Sequence, residues 1–194
     1  STGSVYGEAV VIPQTETHPL SPVSYYGVSK LAGEQYGKTF HHLHGLPVSI
    51  LRYFHVYGPR QDSSDDRGGV VGIFCRRALA GLPLVIYGDG DQQRSFTFVT
   101  DVVRATLLAA HHPAAVGEAF NCASGLAVSI MDLARAVLQK TGRTDLPIEF
   151  QPWVSGDIRR FYIDNTKIKG LGMQKWAALG RGLEQTVSWY RRRR

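Results

Sequence analysis

An α/β fold, with short strands alternating with helices, is what this sequence predicts. Three observations carry the prediction. Residues 48–54 form a continuous apolar run broken only by Ser49 and Arg52, the pattern of a strand buried on both faces of a parallel sheet. Short apolar runs recur at residues 84–87, 96–99, 118–122 and 148–150. Between them stand longer stretches with helical spacing and helix punctuation, and strands alternating with helices imply an α/β sheet.

The first helix is expected over residues 24–44, with Val28, Leu31, Tyr36, Phe40 and Leu43 near helical spacing. Gly45 ends it and Pro47 prevents continuation. A polar, glycine-rich loop over 61–69 is expected to be mobile and able to cover a site. Residues 70–79 read as a helix, and the strands at 84–87 and 96–99 flank a turn at 88–94. Thr100 or Asp101 is the expected cap of the next helix, which stops near His111, before Pro113. Ser129 caps an amphipathic helix with Ile130, Leu133, Ala134, Val137 and Leu138 on one face and Gly142 at its end. A short helix over 165–171 and a last one from Leu183 complete the chain.

Composition narrows the classes. At 194 residues and 43% hydrophobic content the chain can bury a full core. No apolar run approaches a membrane span, and nothing resembles a signal peptide. Cys75 and Cys122, far apart, imply no disulfide framework and point to a reducing cytoplasm. Neither has a metal-ligand neighbourhood, so no metal is expected, and His41, His42 and His44 read as a solvated helix end. The net charge of +6 owes much to four terminal arginines. Without basic residues interleaved with aromatics over a face, it does not predict a nucleic-acid partner. It suits an anionic substrate.

The stretch with chemistry in it is Ser24-Tyr25-Tyr26-Gly27-Val28-Ser29-Lys30. Residues four apart share a helix face, so Tyr26 and Lys30 point the same way. An ammonium beside a phenol favours the phenolate, moving the tyrosine toward general acid–base work. Upstream stands Ser1-Thr2-Gly3-Ser4-Val5-Tyr6-Gly7-Glu8, separated from it by a proline-containing segment. Further on come Leu51-Arg52-Tyr53-Phe54-His55-Val56-Tyr57-Gly58-Pro59, then Ile86-Tyr87-Gly88-Asp89-Gly90-Asp91-Gln92-Gln93-Arg94, then Gly156-Asp157 with Asp164 seven residues on.

This collinear set resembles the extended short-chain dehydrogenase/reductases, specifically the NAD-dependent nucleotide-sugar epimerases and dehydratases, along the whole chain. The resemblance implies the C-terminal part of a Rossmann-like doubly wound sheet with a smaller α/β substrate-binding subdomain. Residues 1–55 and 95–124 would belong to the NAD-binding part, and 56–94 and 125–194 to the substrate-binding one. It implies Thr2, Tyr26 and Lys30 as catalytic residues, and Ser1, Tyr26, Lys30 and Tyr53 toward NAD. Thr2, His55, Val71, Val85, Tyr87, Arg94 and Asp157 would face a nucleotide-diphosphate sugar. On residue type alone Thr2 can equally tie down a turn, Arg94 can be a surface arginine beside one, and Tyr87 can be core packing.

The family's glycine-rich pyrophosphate turn is absent, which implies a piece of a longer protein, and the resemblance implies a homodimer for the complete protein. The acid and base that follow the hydroxyl residue in dehydratases are Gly3 and Ser4 here, favouring epimerisation at C4 through a 4-keto intermediate. A reductase or dehydratase, or a non-catalytic sugar-nucleotide-binding fragment, is the alternative. Two positions depart from the family pattern: Val154 replaces a phosphate-binding arginine, and His55 stands where Asn or Thr is usual.

Overall fold

The structure, a computed structural model, describes residues 1–63, 68–154, 159 and 162–193. After a 3-10 turn at Gly3–Val5, helix α1 runs over Tyr25–His44. Ser24 caps it, its Oγ accepting the Gly27 N–H at 3.1 Å, and Gly45 closes it in the left-handed region with φ 66°. The apolar positions along α1 do not form a buried face, however. Val28, Tyr36, Phe40 and Leu43 are exposed, and only Gly27 and Glu34 are buried. The inward contacts of the helix are made by Gly27, Glu34 and the partly buried Leu31, which packs against the cluster of Val5, Tyr6 and Phe54.

Strand β1 (Ile50–Tyr53) pairs in parallel with β6 (Ala119–Cys122), in register from Ile50 opposite Ala119 to Tyr53 opposite Cys122. On its other side Tyr53 forms a parallel bridge with Thr2, and the Tyr53 N–H donates to the Ser1 carbonyl at 3.3 Å. Strands β2 (Val56–Tyr57) and β5 (Thr97–Phe98) are also parallel, as are β3 (Leu84–Tyr87) and β8 (Ile148–Gln151). The one antiparallel pair among the described residues joins β4 (Gln93–Arg94) to β7 (Val128–Ser129). The sequence reading omitted β2, β4 and β7; at two residues each they are too short to show a period.

Helices α2 (Val70–Ala80), α3 (Val99–His111), α4 (Ile130–Thr141), α5 (Thr166–Gly170) and α6 (Leu179–Arg191) complete the fold. Ser129 caps α4 as expected, accepting the Asp132 N–H at 2.9 Å. For α3 the expected cap is corrected. The helix starts at Val99, with Phe98 at the cap position and no side-chain cap. Asp101 lies inside the first turn, buried, where its carboxylate accepts the Ala177 N–H at 2.7 Å and pairs with Arg104. The last helix begins at Leu179, four residues before the expected Leu183.

Two hydrophobic clusters form most of the core. One gathers α2, α4 and α6 over β3, through Phe74, Leu84, Ile86, Leu133, Val137 and Leu183. The other packs α3 and α5 against β1 and β6, through Leu51, Ala105, Phe120 and Ile168. Cys75 and Cys122 are buried free thiols, and burial pushes both pKa values up to about 12. The loop expected to be mobile falls partly outside the described residues, at 64–67.

Candidate functional site

Thr2 bridges to Tyr53 and caps the 3-10 turn at Gly3–Val5. Its Oγ1 accepts the Ser4 N–H at 3.3 Å and its hydroxyl lies 3.4 Å from the Ser4 Oγ. The N-terminal end of α1 packs on this turn at Gly27, where an added Cβ would come within 2.7 Å of the Ser4 carbonyl oxygen. A glycine is therefore needed for the helix to approach this closely. Tyr26, the residue before Gly27, is carried to the turn that bears Thr2. Lys30 follows one turn on, with its Nζ 5.5 Å from the centre of the Tyr26 ring. Both side chains remain open to solvent, Tyr26 with 55% of its surface exposed.

A cavity of ≈ 480 Å³ opens beside Lys30, with Ser1, Glu34, Tyr53 and Thr106 among its walls. The Tyr53 hydroxyl is 2.9 Å from Thr106 Oγ1, and the Ser1 hydroxyl donates to Glu34 Oε1 at 2.6 Å. Gly33 and Gly37 form part of the α1 wall, and nothing lies within 4 Å of where a Gly33 Cβ would stand. An ammonium and several hydroxyls around an open space are the donors that ribose hydroxyls need.

A second cavity, ≈ 420 Å³, is lined by His55, Gly69, Val70, Ile73, Val85, Tyr87, Gln92 and Arg94, with Arg77 at its edge. Arg94 is buried on β4, and its Nη1 donates to the Gln93 carbonyl at 2.9 Å. His55 has φ 35°, a left-handed conformation that β-carbon sterics disfavour. Its ring packs 5.8 Å from that of Phe96. Burial lowers its pKa to about 3, and the Arg94 charge acts in the same direction against a hydrogen bond involving the Ser95 backbone. The imidazole is neutral at ordinary pH.

The profile of the NAD dependent epimerase/dehydratase family matches residues 1–123, well over half of the chain. The chain belongs to this family. Over 192 residues it is 41% identical to the UDP-glucose 4-epimerase of Mycolicibacterium smegmatis, covering 98% of this chain and 60% of that protein. A putative UDP-glucose 4-epimerase of Methanocaldococcus jannaschii is 36% identical over 189 residues, covering 97% of this chain and 60% of that protein. The crystal structure of a UDP-glucose 4-epimerase with UDP-glucose from Thermotoga maritima matches with a TM-score of 0.93 at 39% identity, covering 100% of this chain and 62% of that one. The architecture is the α/β, Rossmann-like one of these structures. This family member spans about 60% of the length of the curated relatives it matches.

The site residues read from the sequence thus fall into groups. Ser1, Lys30 and Tyr53 line one cavity; His55, Val85, Tyr87 and Arg94 line the other. Thr2 and Tyr26 belong to the two segments that touch at the Ser4–Gly27 contact. Val71 is buried in the core, whereas its neighbours Val70 and Ile73 face the cavity. Asp157 lies outside the described residues. Residues that sequence reasoning missed are Thr106, Gln92, Val70 and Ile73, together with Glu34 and Arg52 behind α1. The buried charges carried one signal: Arg52 interrupts an otherwise apolar strand, which requires a partner. Among the described residues no cluster of His, Cys, Asp and Glu is arranged to hold a metal, and no helix is long and apolar enough to cross a membrane.

Proposed function

We propose that this chain supplies the proton-transfer and substrate-binding portion of an NAD-dependent epimerase acting on a nucleotide-diphosphate sugar at C4, through a 4-keto intermediate. The observation that carries the reading is the meeting of the Thr2 turn with the Tyr26–Lys30 helix at Gly27. In addition, Arg94 and neutral His55 face a cavity walled by Val70, Ile73 and Val85. A guanidinium forks onto diphosphate oxygens, the apolar walls suit a nucleobase, and a neutral imidazole offers one donor and one acceptor. Tyr87, half exposed at the rim, is positioned to cover the base.

Lys30, Ser1 and Tyr53 fit the nicotinamide-side ribose of NAD by their donor chemistry; the complete protein holds the remainder of the cofactor. When bound, NAD accepts a hydride from the sugar carbon and returns it. Tyr26 takes the proton from the sugar hydroxyl as general base and gives it back as general acid. Lys30, beside the Tyr26 ring, donates to the nicotinamide-side ribose, and Thr2 hydrogen-bonds the reacting oxygen. Residues 1–55 and 95–124 serve the cofactor side, with 56–94 and 125–194 on the substrate side, and Val71 backs the cavity wall.

A dehydratase reading is disfavoured by a specific observation. Elimination of water needs an additional acid and base next to Thr2, and Gly3 has no room for a side chain, since a Cβ there would run into the Phe54 ring. Free buried thiols support a cytoplasmic location, and the exposed Val28, Tyr36, Phe40 and Leu43 of α1 support burial of that helix in a homodimer of the complete protein. The decisive assay incubates the complete protein with NAD and a panel of UDP-, dTDP- and GDP-sugars. Interconversion of C4 epimers is the expected result; loss of water, net reduction or no reaction with any of them overturns the reading.

A further inference from the structure

The buried faces of α1 are Gly27 and Glu34, and these two points bracket Lys30. Glu34 is gripped by Arg52 of β1 through a two-pronged pair, Nε to Oε1 at 2.9 Å and Nη2 to Oε2 at 2.7 Å. Both side chains have 1% of their surface exposed. A third donor, the Ser1 hydroxyl, reaches Glu34 Oε1 at 2.6 Å. The other end of the Arg52 fork donates to the Tyr6 hydroxyl at 2.8 Å and to the Glu16 carbonyl at 3.1 Å, and Tyr6 in turn donates to Asn121 of β6 at 2.6 Å. One guanidinium therefore joins α1, β1, the segment after Thr2 and, through Tyr6, β6. Burial opposes the charge on Glu34, but the hydrogen bonds from Arg52 and Ser1 outweigh it and hold the carboxyl below its ordinary range. Arg52 is held above its own range on the same account.

Such a pair contributes little net stability compared with well-packed apolar side chains, but its directional fork admits one arrangement. Glu34 lies one turn beyond Lys30, Arg52 is adjacent to Tyr53, and Ser1 is adjacent to Thr2. We infer that Glu34 and Arg52 are positioning residues, fixing the height and rotation of α1 so that Tyr26 and Lys30 stand opposite Thr2. The inference rests on the proposed reaction for its kinetic consequence and on geometry alone for the rest.

The test replaces the pair together, Glu34→Leu with Arg52→Met, in the complete protein, because removing one partner strands a buried charge. A matched thermal melt establishes the fold. Amide hydrogen exchange over residues 25–31 is expected to quicken by about tenfold or more, with α4 unchanged. With NAD and the nucleotide sugar that the wild type epimerises, kcat falls at least ~10-fold while KM stays within about twofold, the signature of lost alignment rather than lost binding. Arg52→Lys keeps the charge without the fork and should lie between the double variant and the wild type; it decides the matter by the same two readouts if the double variant does not fold. Unchanged exchange and unchanged kcat in a folded variant overturn the inference. Quickened exchange in a protein whose wild type turns over no nucleotide sugar sustains the positioning role and removes the proposed reaction instead.

Discussion

Tyr26 differs from the other tyrosines near the site in what surrounds its hydroxyl. Tyr6 is buried in the Arg52 network and its pKa is pushed up to about 12, whereas Tyr26 is half exposed beside an ammonium. Tyr26→Phe in the complete protein should therefore leave the thermal melt unchanged and lower kcat by ~10²-fold or more, the loss expected for a general acid–base. Near-normal turnover would remove Tyr26 from the chemistry. Arg94→Ala should weaken nucleotide-sugar binding by about 1.5–3 kcal/mol, the worth of charged hydrogen bonds, while cofactor affinity is spared. Separate calorimetric titrations with the nucleotide sugar and with NAD measure the two; an unchanged nucleotide-sugar affinity would make the turn structural. His55 makes a pH-dependent contribution whose sign follows from its depressed pKa, about 3 folded against 6.5 ordinarily. The unfolded chain takes up a proton that the folded chain refuses, so this contribution is present above pH 6.5 and is lost as pH falls toward 3. His55→Asn, a residue that also tolerates the left-handed backbone at this position, should flatten the urea-unfolding profile across that window. A profile as steep as the wild type's would show that other groups carry the dependence.

Among the elements, α4 was the most legible in sequence and α1 the most misleading. In α4 the apolar spacing, the Ser129 cap and the Gly142 stop all describe one buried face, and the helix packs as they say. In α1 the caps were legible but the face was not, because apart from Leu31 its inward contacts are a glycine against the Ser4 backbone and a carboxylate in an arginine fork. Neither contact has an apolar period to read. The same holds for the cavity. Motif spacing led to Arg94, Val85 and Tyr87, but it could not tell Val70 and Ile73, which face the cavity, from the buried Val71 between them. The close approach at Gly27 gives a prediction for the element as a whole. Gly27→Ala places a methyl against backbone, so α1 must retreat from the turn. The cost is about 1–3 kcal/mol, as for overpacking elsewhere, even though alanine is the better helix former. Urea denaturation should show this loss, and Gly33→Ala, where the space is open, should show none or a gain. Equal effects at the two positions would mean that the Gly27 contact does not hold the helix.

Over the whole molecule, the alternation of strand and helix was sufficient to predict an α/β sheet, and motif order was sufficient to find the family. What neither carries is the connection among the parts, since it runs through pairings between residues distant in sequence. Thr2 bridges to Tyr53, Glu34 to Arg52, and Tyr6 to Asn121. These tie the Thr2 turn, α1 and the β1–β6 pair together, and the proposed site uses the hydroxyl, phenol and ammonium they carry for the nicotinamide side of the cofactor. A dinucleotide also needs backbone N–H groups at a helix N-terminus for its pyrophosphate, supplied in this fold by a glycine-rich turn. No such turn occurs among the 194 residues. With only the nicotinamide side available, the chain by itself should bind NAD at least ~100-fold more weakly than a protein that also carries the turn, a deficit of about 2.7 kcal/mol. The measurement is a titration of monodisperse chain with NAD by calorimetry, alongside the same titration of the complete protein. Equal affinities would mean that the pyrophosphate is held by residues of this chain, and the assignment of the cofactor to the Lys30 cavity would have to be abandoned.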